Sequence, residues 1–227
     1  YLAGDLGNDT ISLAAVSLYQ TTIYGDNATT SGGDDVINLN AGGTGLVNVS
    51  VYGGSGKDTL NLTDTITDVV KTSYFQANAG SDSLVFLGSA LSSTLRGGAG
   101  NDTISIKYSG SGGSLNSQFF GDKGADLITV GVAYGASTIY GDQDATGSGG
   151  GSDTLLLNDV SSGGVVVYGG EGNDTISMIS GTTTTLYGGA GDDSLAIGIG
   201  AAGKLYGDAG SDTLSVGAAG TTTLYGG

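Results

Sequence analysis

Ten aspartates recur at one phase of a repeated sequence: Asp9, Asp35, Asp58, Asp82, Asp102, Asp126, Asp153, Asp174, Asp193 and Asp212. Each closes a glycine-rich hexad of the kind seen at Gly169-Gly-Glu-Gly-Asn-Asp174. Glycine adopts positive φ and lets backbone come close to a ligand. Such a turn can therefore gather carbonyl oxygens while its aspartate supplies charge. That is a donor set for a hard cation, not for proton transfer or nucleophilic attack. Histidine and cysteine are absent, Arg96 is the single arginine, and Glu171 is the single glutamate. Asp64, Asp68 and Asp159 stand outside the repeat, and no second group marks them for general acid–base work.

Three apolar columns accompany these aspartates, making four columns in all. Two residues after each stands Ile or Leu (Ile11, Leu60, Ile176), and two further on another apolar residue (Leu13, Leu62, Met178). Two residues before each hexad the chain is apolar again, as at Ile23, Val51 and Val167. Alternation of period two reads as strand, and no i, i+3, i+4 stripe reads as helix. Each period thus predicts two short strands joined by the hexad on one edge and by a plain Gly/Ser/Thr return turn on the other. The period is about twenty residues, in the range of solenoids. Two periods are longer because insertions split the hexads that begin at Gly25 and Gly141. The expectation is an all-β parallel β-solenoid of about ten coils, a single domain over residues 1–227. The chain opens with neither an initiator Met nor a signal pattern, and its two ends share one phase of the repeat. It therefore reads as a segment of a longer rod, continued by its own chain or by stacking.

The formal net charge of −16 argues against nucleic acid and anionic membrane surfaces as partners. No apolar run is long enough to span a membrane as a helix.

The sequences Gly97-Gly-Ala-Gly-Asn-Asp-Thr-Ile-Ser105 and Gly169-Gly-Glu-Gly-Asn-Asp-Thr-Ile-Ser177 match the pattern Gly-Gly-x-Gly-x-Asp-x-U-x, with U apolar. This resembles the calcium-binding RTX nonapeptide, a parallel β-helix repeat. The resemblance extends over the whole chain and implies Ca2+ between stacked hexads, with the ten closing aspartates as ligands. Ten coils leave nine gaps, and nine ions would offset the formal −16. Asp5, Asp122 and Asp208, at the second hexad position, are candidate auxiliary ligands. Asp26, Asp34, Asp142 and Asp144, in the inserted coils, read as solvated loop residues or as extra calcium sites. Ala77-Asn78, Lys57 and Lys123 depart from the motif and weaken their sites. The usual RTX roll has calcium turns on both edges, whereas here only one edge carries them, as in RTX-type S-layer proteins and large RTX adhesins.

The resemblance implies a structural role in an extracellular or cell-surface assembly of a bacterium (S-layer, filament or adhesin stalk), exported by type I secretion. Self-association or neighbouring surface-layer or filament subunits are the partners it suggests, and no enzymatic activity is expected. The alternative is a C-terminal RTX module of a secreted protease, lipase or polysaccharide-degrading enzyme. Ice binding would need a threonine column at the third hexad position, which instead reads Leu6, Ser55, Ala79, Ala99, Lys123, Glu171. A tyrosine column (Tyr24, Tyr52, Tyr140, Tyr168, Tyr187, Tyr206, Tyr225, with Phe120) should lie outside, shielding a sheet face or meeting a neighbour.

Overall fold

A computed structural model describes residues 1–27, 32–63, 70–88, 90–107, 114–143, 149–162, 164–181, 183–217 and 220–227. Asp64, Asp68 and Asp144 lie outside these residues. A chain that passes each phase of a coil in the same direction can pair its strands only in parallel. Every described ladder is parallel, and the described residues contain strands and no helix.

One sheet has eleven strands, each the segment that leads into a hexad, with tyrosine after the inward apolar residue in seven of them, as in Val165–Glu171 and Thr184–Ala190. The register repeats without slip: Val167 pairs with Leu186 and Leu186 with Leu205. The second sheet has thirteen strands and carries the segments that follow the aspartates, such as Thr175–Gly181 and Ser194–Ile197. All three predicted apolar columns point inward. Val51, Phe75, Leu95, Ile139 and Val167 face Leu60, Leu84, Leu155 and Ile176 across a thin core, each fully buried. The end coils are less covered, with Leu2 and Leu224 exposed.

The return edge is more than the plain turn expected from its composition. Two-residue strands at Val70–Lys71, Ala90–Leu91 and Ser114–Leu115 pair with one another and with the ends of longer strands, adding a third, short side to the coil. Leu46, Val70, Ala133 and Val160 are buried along this side. Their spacing from the hexad varies with coil length, so no fixed column announces them.

The corner that follows turns on a residue in the left-handed region: Gln20, Asn48, Thr72, Ser92, Asn116 and Thr183 have φ of 49–54°. Non-glycine residues adopt this conformation at a cost, Asn least of all. Just past the corner four serines stack: Ser73, Ser93, Ser117 and Ser137 are at most 4% exposed. The Val49 N–H donates to Ser73 Oγ at 3.1 Å, Ser73 N–H to Ser93 Oγ at 3.2 Å, and Ser93 N–H to Ser117 Oγ at 3.3 Å. The hydroxyls replace main-chain acceptors that the corner has turned away. The signal was present in the sequence, a serine two residues before the inward apolar residue in four successive coils.

The outer tyrosines partner each other. Phe120, Tyr140, Tyr168, Tyr187, Tyr206 and Tyr225 form a run of near-parallel rings with centroids 4.6–5.0 Å apart. Stacking at the coil spacing thus shields the sheet along most of this column.

Ser117→Ala should leave the Ser93 N–H buried without its acceptor and cost about 1–3 kcal/mol. Ser194→Ala, at an exposed trailing position, should stay within ~0.5 kcal/mol. Chemical denaturation in saturating calcium measures both.

Candidate metal centre

The hexad is shaped by what its glycines exclude. In the eight hexads without an insertion its second and fourth positions have positive φ, as at Gly170 (124°) and Gly172 (107°). At the fourth position a Cβ would strike the carbonyl oxygen of the same position one coil earlier; Gly191 abuts Gly172 in this way and Gly210 abuts Gly191. That column is glycine in all ten hexads, an invariance the four-column reading overlooked. At the first position a Cβ would collide with two oxygens. For Gly169 these are Asp174 Oδ2 and the carbonyl of Gly188 in the next coil, and the pattern recurs at Gly25, Gly53, Gly121, Gly141 and Gly188. A carboxylate oxygen and a carbonyl oxygen from successive coils therefore converge beside each first glycine.

The closing aspartates form a continuous row in which the two carboxylate oxygens have different partners. Oδ1 accepts the main-chain N–H of the aspartate one coil earlier: Asp153 to Asp174 at 2.8 Å, Asp174 to Asp193 at 2.8 Å, Asp58 to Asp82 at 2.7 Å. This linkage runs from Asp9 to Asp212. Oδ2 of Asp35, Asp58, Asp82, Asp102, Asp126, Asp153, Asp174 and Asp193 is buried and has no hydrogen-bond donor among the described residues. Asp9 and Asp212, in the end coils, are half-buried. At the fifth position a second ladder runs in the opposite sense. Asn173 Oδ1 accepts the Asp192 N–H at 2.9 Å, and Asp192 Oδ1 the Ser211 N–H at 2.8 Å. Each hexad is thus held from both neighbouring coils.

Burial pushes these carboxyls upward, opposed by the main-chain hydrogen bond and reinforced by neighbouring aspartates. Asp102 reaches about 6, Asp58, Asp82 and Asp174 about 7, Asp126 about 8 and Asp153 about 9. Asp35 and Asp193 shift the same way.

The auxiliary candidates have separate surroundings. Asp122, at φ 79°, is buried against Arg96, whose Nε donates to Asp122 Oδ2 at 2.9 Å and whose Nη2 donates to Asp122 Oδ1 and to the Gln143 carbonyl. The guanidinium also lies 4.5 Å from the Phe120 ring centroid, filling a gap in the aromatic column. Asp5 and Asp208 also have positive φ and are exposed. In the inserted coils Asp26 Oδ2 accepts the Ser55 N–H at 3.1 Å, and Asp142 Oδ2 the Glu171 N–H at 3.0 Å. These carboxylates bind the next coil's main chain at matching hexad positions in the two inserted coils. Asp34 also belongs to the ordered edge, accepting the Lys57 N–H at 2.8 Å.

The donor set fits calcium. Ca2+ takes six to eight oxygens in flexible geometry, with carbonyls serving as well as carboxylates. A row of buried carboxylate oxygens without donors is otherwise costly to maintain. Among the described residues no three His, Cys, Asp or Glu side chains converge. A site here would combine one carboxylate per coil with main-chain carbonyls. Bound calcium would supply the positive charge that the row lacks. Ala77 carries a methyl group where other hexads begin with glycine, and that methyl competes with a cation for space.

A family model described as the RTX calcium-binding nonapeptide repeat matches residues 48–64, 87–105, 159–177, 184–201 and 204–221. No curated protein and no solved structure matches the chain.

Asp174→Ala should lower the calcium-loaded melting temperature more than Asp82→Ala, whose hexad begins Ala77-Asn78; thermal melts of the two variants give the order. The raised carboxyls also set the sign of a pH effect. In excess chelator the folded state binds more protons than the unfolded chain, so its stability is greatest below the ordinary carboxylate range. It is lost as pH rises through about 6 to 9. Calcium should reverse this slope, because it binds the deprotonated form. Urea titrations at several pH values, with and without calcium, measure both slopes.

Proposed function

We infer that this RTX repeat protein serves as a calcium-stiffened structural rod in an extracellular or cell-surface bacterial assembly. The observation that carries this reading is the row of donorless buried Oδ2 atoms from Asp35 to Asp193, one per coil. Catalytic clefts concentrate polar groups at one place, whereas this chain spreads equivalent cation cradles along its length. The implied partners are calcium and the structural subunits of a surface layer or filament.

The same observation bears on where the rod forms. Without a cation each coil must bury a carboxylate beside like-charged neighbours, which disfavours the folded state at neutral pH. Extracellular calcium modules commonly bind at about 10⁻⁴–10⁻³ M. Sites of that strength stay empty in a calcium-poor cytosol, leaving the chain extended for export, and fill outside. RTX repeats are typical of secreted bacterial proteins, and type I secretion is the route this coupling suits.

At neutral pH, excess chelator should abolish the β signal in circular dichroism, and millimolar calcium should restore it cooperatively. A chain that keeps its sheets in chelator at pH 7.5 would show that calcium does not control assembly of the rod.

A further inference from the structure

The first insertion contains a buried acceptor that the repeat does not account for. Asp26 is 5% exposed. Its Oδ2 takes the Ser55 N–H, which completes the main chain of the next coil. That task needs one oxygen and no charge, and Asn78 occupies the same hexad position two coils later. Asp26 Oδ1 is buried and has no hydrogen-bond donor among the described residues.

This oxygen is not part of the nonapeptide row. Successive residues of a strand face opposite sides. A Cβ on Gly53 would meet Asp58 Oδ2, whereas one on Gly54 would meet the Asp26 carboxylate. The two carboxylates therefore flank the Gly53–Gly54 segment from opposite faces, Asp58 within the hexad and Asp26 on the tyrosine side. There Asp26 borders a cavity of about 350 Å³ lined also by Tyr24, Asn27, Tyr52, Ser55 and Asn78. Asn27, Ser55 and Asn78 add polar side chains to its lining, and Asn27 Oδ1 also accepts the Tyr1 hydroxyl at 2.7 Å. A buried carboxylate oxygen in a polar-lined cavity, with no N–H or O–H of the described residues directed at it, is the surrounding of a hard cation.

We propose that Asp26 holds a divalent cation of its own in this cavity, outside the row of nonapeptide sites. The ion takes Asp26 Oδ1 as its charged ligand and oxygens of the surrounding side chains. It ties the first insertion to the coil that follows, on the opposite face from the repeat ions.

Native mass spectrometry at saturating calcium counts the ions on the folded chain. Asp26→Asn keeps an acceptor for the Ser55 N–H and removes the charge. The variant should load one calcium fewer than the wild type while its circular dichroism is unchanged. An equal, non-zero count overturns this site alone, and is what a bridging water would give. No ions on either chain overturns both this site and the proposed function. Should the variant fail to fold, wild-type crystals grown with terbium in place of calcium decide the matter. Anomalous density beside Asp26 Oδ1 upholds the site, and its absence there overturns it.

Discussion

A parallel solenoid forces like onto like. Every side chain faces its counterpart one coil away at about 4.8 Å, and nothing in the pairing can exchange partners. A group can occupy a column only if it tolerates its own kind as neighbour. Apolar residues do so freely and form the core. Tyrosines do so by stacking ring on ring, serines by passing a main-chain N–H from coil to coil, and fourth-position glycines by offering nothing to collide with the carbonyl beside them. Aspartate tolerates its own kind least, and it is the residue placed in the longest unbroken polar row.

The row shows how that conflict is divided. Oδ1 is satisfied within the protein by the N–H of the preceding aspartate, which fixes the carboxylate in position. Oδ2 is left facing a carbonyl oxygen across the first glycine, where only a cation or a proton makes the arrangement favourable. A fully satisfied row would hold its shape at any calcium level and would sense nothing. Arg96 shows another way to place positive charge beside an aspartate: its guanidinium donates to Asp122.

Much of this was legible because the fold is periodic. The aspartate, the inward apolar columns and the outer tyrosines each repeat at a fixed offset from the hexad, so alternation places them on the correct face. The third side of the coil was not legible. Its short strands sit at varying distances from the hexad, and Val70 or Val160 carries the same letter in a turn as in a ladder. The serine column and the invariant fourth glycine could have been found. Serine and glycine, however, are expected in turns anyway, so their regularity passes for composition. The carboxylate of Asp26 reads as loop because its acceptor role depends on the Ser55 N–H, 29 residues ahead.

The aspartate row also has a direction. The N–H of Asp153 is completed by Asp174, and that of Asp174 by Asp193, always by the coil that comes later in the chain. The fifth-position ladder points the other way, Asn173 serving Asp192. Any run of coils is therefore asymmetric at its two faces. The leading face presents a bare aspartate N–H awaiting an acceptor, and the trailing face presents a carboxylate with both oxygens open. The two faces differ in the hydrogen-bonding groups they leave open, so the stack is chemically polar along its axis, like a magnet with distinguishable poles.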